Sequence, residues 1–335
     1  MPLSVFAEEF AEKSVKRYIG QGLWLPCNLS DYYYYQEFHD EGGYGSIHRV
    51  MDKATGNEVI MKHSYKLDFS PGILPEWWSK FGSLTDDLRE RVVSNHQLRV
   101  SREAQILVQA STVLPEMKLH DYFDDGESFI LIMDYGGRSL ENIASSHKKK
   151  ITNLVRYRAY KGNWFYKNWL KQVVDYMIKI YHKIKILYDI GIYHNDLKPE
   201  NVLVDGDHIT IIDFGVADFV PDENERKTWS CYDFRGTIDY IPPEVGTTGS
   251  FDPWHQTVWC FGVMLYFLSF MEYPFHIDNQ FLEYALEGEK LDKLPEPFAQ
   301  LIRECLSVDP DKRPLTSLLD RLTELHHHLQ TIDVW

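Results

Sequence analysis

The chain has 335 residues, 44% of them hydrophobic and 25% charged, with 21 Tyr, 18 Phe and 9 Trp, which excludes a disordered polymer and suits one large or two moderate domains. A formal net charge of -15 excludes a broad nucleic-acid binder, which needs lysine and arginine to displace counterions, and is compatible with positively charged protein substrates. The cysteines, Cys27, Cys231, Cys260 and Cys305, have none of the close spacings of a zinc ribbon or redox pair.

From the N-terminus, the spacing of Phe6, Phe10, Val15 and Tyr18 predicts an amphipathic helix in an extension over residues 1–30, followed by a glycine and proline region from Gly20 to Pro26. Short aromatic and β-branched runs at Tyr32 to Phe38, Ile47 to Val50 and Glu58 to Met61 predict antiparallel strands, with Asp52 to Gly56 as a turn. Helical patterns then dominate, at Leu88 to Ala110, Trp164 to Ile190, His255 to Phe270 and Phe298 to Leu306. Strand pairs fall within Met117 to Met133 and Val202 to Ile212. The expected class is α+β, a small antiparallel sheet followed by a larger, mainly helical part. The basic run Lys148 to Lys150 reads as a solvated face, and His326 to His328 continue a helical pattern.

The segment carrying most chemistry is His194-Asn195-Asp196-Leu197-Lys198-Pro199-Glu200-Asn201, followed by a strand pair and Asp213-Phe214-Gly215. It resembles the catalytic loop and metal-binding triplet of eukaryotic-type protein kinases of the Ser/Thr class. A lone Asp or Asn in a loop is usually a turn or cap residue, but the ordered set outweighs that reading. The resemblance implies that Asp196 is the base for the substrate hydroxyl and that Lys198 stabilises charge on the transferring phosphoryl group. It implies Asn201 and Asp213 as metal ligands, hard oxygen donors suited to Mg2+, with Mn2+ as an alternative, and ATP as the nucleotide. Gly236-Thr237 through Pro242-Pro243-Glu244 resembles the end of an activation segment, with Glu244 paired to Arg313. This stretch and Val258-Trp259 through Pro274-Phe275-His276 faintly resemble the Pim-type branch.

Upstream, Asp40-Glu41-Gly42-Gly43-Tyr44-Gly45-Ser46-Ile47 reads either as an ordinary tight hairpin or as the glycine-rich nucleotide clamp, with Asp40 where the first glycine would stand. Under the resemblance Gly42, Gly43, Gly45 and Ile47 contact the nucleotide. Lys62, closing Val59-Ile60-Met61-Lys62, contacts the α- and β-phosphates, and Glu103 pairs with it; Asp86, Asp87 and Glu90 are alternative partners. Phe129 to Gly136 reads as a buried strand and turn or as the strand entering the interlobe hinge, with backbone groups of Asp134 and Gly136 on adenine and Met133 limiting the pocket. The implied architecture is a two-lobed kinase domain over residues 31–328, with a small antiparallel-sheet lobe with one main helix at about 31–133, a hinge at 134–137 and a mainly helical lobe at 138–328. Residues 329–335 form a tail.

Three departures stand out: Asp40, Asn195 in place of the arginine that pairs with an activation-segment phosphate, and Thr257 in place of an aspartate that anchors the catalytic-loop backbone. The first two, with Thr257, motivate a rival reading as a pseudokinase scaffold, whereas Lys62, Glu103, Asp196, Asn201 and Asp213 favour an active enzyme that needs no activation-segment phosphate. Stretches 64–95 and 146–168 read as insertions, solvated or partner-binding. Protein substrates are the expected partners, and nucleic acid is not. No basic start precedes an apolar core, and the most apolar run, Trp259 to Phe270, is too short to span a bilayer. The expected location is intracellular, cytoplasmic or nuclear, in the chain's own cell or in a host cell reached by a pathogen.

Overall fold

The structure is a computed structural model that describes residues 13–20, 23–42, 45–65, 102–126, 128–156, 162–227, 229–230, 236–248, 251–275, 277–278, 281–282 and 288–331. The fold is α+β, with antiparallel strands early in the chain and helices dominating the rest. It divides into two compact units, Met1–Tyr135 and Gly136–Trp335.

The first unit holds strands β1 (Ser14–Gly20) and β2 (Leu23–Asn28), the helical turn α1 (Leu29–Tyr32), and strands β3 (Tyr33–Gly42), β4 (Gly45–Asp52) and β5 (Glu58–Tyr65). Helix α2 (residues 102–110) and strands β6 (Leu119–Asp124) and β7 (Ser128–Asp134) complete it. All seven strands form one antiparallel sheet in the order β2-β1-β6-β7-β5-β4-β3. Its two edge strands are consecutive in sequence and joined only by α1, so the sheet must curl until its ends approach each other. Lys53 N–H donates to the Tyr32 carbonyl at 2.9 Å across that closure. The enclosed core is apolar: Val15, Leu29, Tyr33, Val50, Val59, Met61, Phe123, Ile130 and Ile132. In α2, the buried positions Glu103, Ile106, Leu107 and Ala110 recur at three- and four-residue spacing, which fixes one face of the helix inward.

The helix expected over residues 1–30 is corrected by β1 and β2: Val15 and Tyr18 stand in a strand, while Phe6 and Phe10 lie outside the described residues. The local burial has a period of two, with Ser14 and Lys16 exposed and Val15 buried between them, so a strand satisfies the pattern. Pro26 fits because β2 is an edge strand, where a missing N–H breaks no ladder. A polar pin fastens the hairpin. Arg17 Nε donates to Asp121 Oδ1 at 2.7 Å, the buried Tyr33 hydroxyl donates to Asp121 Oδ2, and the Arg17 guanidinium lies 4.4 Å above the Tyr32 ring. Burial first, then the Asp121 carboxylate, holds the Tyr33 phenol far above its ordinary pKa, so it remains a donor.

The same sheet buries two histidines. Ser46 Oγ lies 2.7 Å from His48 Nε2, the His48 and His63 rings are 5.4 Å apart, and Ser128 Oγ lies 3.4 Å from His63 Nδ1. Burial, aided by the charge of Lys13, lowers the pKa of His48 to about 4; the same causes, joined by His48, lower that of His63 to about 3.

The second unit runs through β8 (Arg138–Ser139), α3 (Leu140–Arg156), α4 (Gly162–Asp189), β9 (Ile192–Tyr193), β10 (Val202–Asp205), β11 (His208–Ile211), β12 (Asp218–Phe219) and α5 (Glu223–Arg226). Helices α6 (Pro243–Thr248) and α7 (Pro253–Phe270), the short strands β13 (Ile277–Asp278) and β14 (Phe281–Leu282), and helices α8 (Gly288–Leu291), α9 (Glu296–Cys305) and α10 (Leu318–Thr331) follow. The central element is α7, buried on every side from Val258 to Ser269, which suits a helix apolar all round. Asp252 caps its start by accepting from Trp254 N–H at 2.8 Å and His255 N–H at 3.0 Å, with Pro253 in the first turn. The tail expected at 329–335 begins too early. Leu318, Leu322, Leu325 and Leu329 form one buried stripe, so α10 continues to Thr331. Lys148 to Lys150 are exposed on α3. Residues 66–101, most of the first expected insertion, lie outside the described residues, as do 157–161 of the second.

Replacing Asp121 with Ala leaves the buried Tyr33 hydroxyl and the Arg17 charge without their acceptor. The unfolding free energy should fall by about 2 kcal/mol in a denaturant titration. A second expectation concerns acid. Unfolded, both histidines titrate near 6.5, so the unfolded chain binds the extra protons and their contribution to stability, complete above that pH, is lost as pH falls toward about 4. His48→Gln should make the fall of stability over that window shallower.

Candidate active site

In the first unit, β4 and β5 place Ile47 opposite Lys62 in register, so both side chains share one face of the sheet. Lys62 Nζ donates to Glu103 Oε1 at 2.8 Å, and the Glu103 side chain is 3% exposed. A strand cation is thus held by a helix carboxylate that water barely reaches. Of the expected glycine clamp, Gly42 and Gly45 close the β3–β4 hairpin as a cross-strand pair, and Asp40 pairs with Ile47; Gly43 lies outside the described residues. Asp86, Asp87 and Glu90, the alternative partners of Lys62, also lie outside them. Met133 and Asp134 end β7, where the Asp134 carboxylate lies 2.7 Å from His120 Nε2.

In the second unit, Gly136 packs on Leu203, whose Cδ1 would sit 2.8 Å from an added Cβ. The next residue, Gly137, has φ +94° and brings its Cα so near the Val204 carbonyl that a Cβ would lie 2.3 Å from that oxygen. Gly137 is the last residue of the hinge expected at 134–137, and its place after Gly136 and before β8 marks a turn.

The catalytic loop is organised around Asp196, 8% exposed. Its Oδ1 accepts the Thr237 backbone N–H at 2.7 Å, and Lys198 Nζ lies 2.9 Å from its Oδ2. Asn201 Nδ2 donates to the Asp196 carbonyl at 2.8 Å and to its Oδ2 at 3.2 Å. Lys198 also donates to Thr237 Oγ1 at 2.5 Å. The sequence-predicted residues Asp196, Lys198 and Asn201 therefore meet in one hydrogen-bonded group, joined by Thr237 from a distant segment. His194 supports it from below as a neutral imidazole. Its Nε2 donates to the Ile212 carbonyl at 2.9 Å while Nδ1 accepts the Asp196 N–H at 3.2 Å, and burial lowers its pKa, favouring that uncharged form. Burial also raises the Glu200 carboxyl above its ordinary range.

Asn201 and Asp213 are reached by the two ends of the β10–β11 hairpin, with Ile212 N–H donating to the Asn201 carbonyl at 3.0 Å. Because the Asn201 amide nitrogen is committed to Asp196, its side-chain oxygen is the atom left to face a cation, which fits a hard metal. Asp213 adds a carboxylate at an unusual backbone φ of 67°. Among the described residues no cluster of three or more His, Cys, Asp or Glu forms a protein-only cage. An amide and a carboxylate suit magnesium, which completes its shell with phosphate oxygens and water.

Thr257 does not take over the role of the aspartate it replaces. Its hydroxyl donates to the Pro253 carbonyl at 2.7 Å, inside its own helix, and takes no part in anchoring the loop. Gln256, 2% exposed, reaches the loop instead, donating from Nε2 to the Asn195 carbonyl at 3.4 Å. Sequence reasoning missed Gln256; a polar residue entering the apolar run of α7 was the available signal. The expected pair of Glu244 and Arg313 is present and bidentate, at 2.7 and 2.8 Å, with the Arg313 side chain fully buried and 4.9 Å above the Trp259 ring.

Comparison with known proteins places this geometry. The protein kinase domain family model matches residues 87–328. The chain is 29% identical over 279 residues to the serine/threonine-protein kinase PSK2 of Saccharomyces cerevisiae, covering 82% of this chain and 22% of that protein. It is 25% identical over 343 residues to the serine/threonine-protein kinase PKH2 of Candida albicans, covering 96% of this chain and 30% of that protein. Against serine/threonine-protein kinase 1 of African swine fever virus it is 29% identical over 201 residues, 59% of this chain and 58% of that one. The chain belongs to the protein kinase family. It spans less than a third of the length of the two fungal relatives.

Glu244→Gln removes the negative partner of a guanidinium that has no route to water. It should cost about 3 kcal/mol of stability, read as a lowered melting temperature.

Proposed function

We propose that the chain transfers the γ-phosphate of ATP to serine or threonine hydroxyls of proteins, and does so without a phosphate on its own activation segment. The observation that carries this reading is the Asp196 group: a buried carboxylate fixed by Lys198, Asn201 and the Thr237 amide, with the Lys198 ammonium bridging to the Thr237 hydroxyl. In this reading Asp196 orients the substrate hydroxyl and accepts its proton. Lys198 places positive charge where the transferring phosphoryl oxygens gather negative charge. Lys62, held by Glu103, would bind the α- and β-phosphates, and Asn201 and Asp213 would hold magnesium. Magnesium, when bound, neutralises the phosphate oxygens so that the hydroxyl can approach.

Independence from phosphorylation is supported by Asn195. A neutral amide stands where a phosphate-binding arginine would be required, and it is already engaged inside the unit. The scaffold alternative drew on Asp40, Asn195 and Thr257; beside Thr257, Gln256 donates to the Asn195 carbonyl, which supports a loop backbone that is still held. The thiols of Cys27, Cys260 and Cys305 are free, which supports an intracellular setting, cytoplasmic or nuclear. No helix among the described residues is long and apolar enough to cross a membrane.

Phosphatase-treated protein given γ-labelled ATP, magnesium and mixed protein substrates should label serine or threonine. Asp196→Asn should lower the rate about a thousandfold, and Asp213→Ala should abolish labelling. If the treated wild type labels nothing while Mg-ATP still raises its melting temperature, the scaffold reading replaces this one.

A further inference from the structure

Asn195 adopts φ 63°, in the left-handed region where asparagine is one of few tolerated side chains. That conformation turns its amide toward the segment that follows Asp213. Nδ2 donates to the Val216 carbonyl at 3.2 Å and to Asp218 Oδ2 at 3.0 Å, and both Asn195 and Asp218 are more than nine-tenths buried. The backbone doubles the link. Asp218 and Phe219 form β12, which pairs with Tyr193 and Ile192 of β9, the strand leading into the catalytic loop. Val220 N–H donates to the Gly191 carbonyl at 2.8 Å, and Gly191, at φ +84°, comes so near the Val220 carbonyl that a Cβ would lie 1.9 Å from its oxygen.

We propose that Asn195 is a positioning residue: its amide clamps Val216 and Asp218, and so fixes the candidate base Asp196 relative to the candidate metal ligand Asp213 without any phosphate. The inference rests on the kinase reading for its catalytic consequence, and on the geometry alone for its structural one. Asp196 directly follows the clamp residue, and Asp213 directly precedes the clamped stretch. Both Asn195 and Asp213 hold positive φ, a backbone state that persists only where neighbouring contacts enforce it. A neutral donor to a buried carboxylate supplies a charge-assisted hydrogen bond, stronger than one between two neutral groups. Because the tie is covalently encoded, it is present in every molecule, whereas an arginine-to-phosphate tie exists only after modification.

The test compares Asn195→Gly, Asn195→Asp, Asp218→Asn and the exchanged pair Asn195→Asp with Asp218→Asn, all in the full chain. Glycine accepts φ 63° and deletes only the donor, so that variant keeps the loop backbone and guards against misfolding. Asp218→Asn retains an acceptor oxygen and should be mild. Asn195→Asp sets a second carboxylate against Asp218 and should be severe. Two readouts are taken: amide hydrogen exchange of the peptide over residues 214–220, and steady-state kinetics. Asn195→Gly and Asn195→Asp should raise exchange there and lower kcat about tenfold with the KM for ATP unchanged, and the exchanged pair should recover a large part of both. If the exchanged pair is no better than Asn195→Asp, or if Asn195→Gly leaves exchange unchanged, the clamp is overturned. If wild type labels no substrate, the kinase reading fails, and the exchange pattern still decides whether the clamp exists.

Discussion

The second unit depends on surrounding one buried carboxylate with hydrogen-bond donors. Asp196 is 8% exposed, and burying a polar group is costly unless hydrogen bonds meet it. Here they come from several stretches of chain: Lys198 and Asn201 within the loop, and the Thr237 amide from a segment forty-one positions away. Both loop donors are in turn committed elsewhere, Lys198 to the Thr237 hydroxyl and Asn201 to the Asp196 carbonyl, so the arrangement is a connected network. The buried α7 helix, the Arg313–Glu244 pair and the β10–β11 hairpin make sense as the rigid frame such a network requires.

Much of this was legible in the sequence because the chemistry demands particular side chains at short spacing. His194 to Asn201 lie in eight consecutive residues, and a loop that short can bring Asp196, Lys198 and Asn201 together without help from tertiary packing. The pairing of Lys62 with Glu103 was legible only through the resemblance, with Asp86, Asp87 and Glu90 left open; its physical basis is that the helix face burying Ile106, Leu107 and Ala110 also turns Glu103 inward. The strands at Tyr33 to Tyr65 followed from alternation and glycine turns, with ends differing by a few residues.

What stayed hidden depended on partners distant in sequence. Val15 and Tyr18 fit a helical spacing when counted alone, and only pairing with β6 and with Leu23–Asn28 shows that the periodicity is two. Thr257 occupied the family position for anchoring the loop, yet its hydroxyl was captured by the carbonyl four residues back, as threonine in a helix often is, and the neighbouring Gln256 side chain was long enough to reach Asn195. Leu329 read as part of a tail because its stripe mates lie on the preceding turns and the surface they cover belongs to α4.

The β1–β2 hairpin lies outside the family match yet inside the folded sheet. The family match begins at residue 87, and the resemblance in motifs at about residue 30, yet β1 contributes Val15 to the core and Arg17 to the pin on Asp121, and it covers the edge of β6. A chain trimmed to begin at about residue 30 would leave β6 as an open strand edge and Asp121 without its Arg17 partner, a surface that invites pairing with other chains. A hairpin outside the family match is therefore part of what keeps the sheet closed.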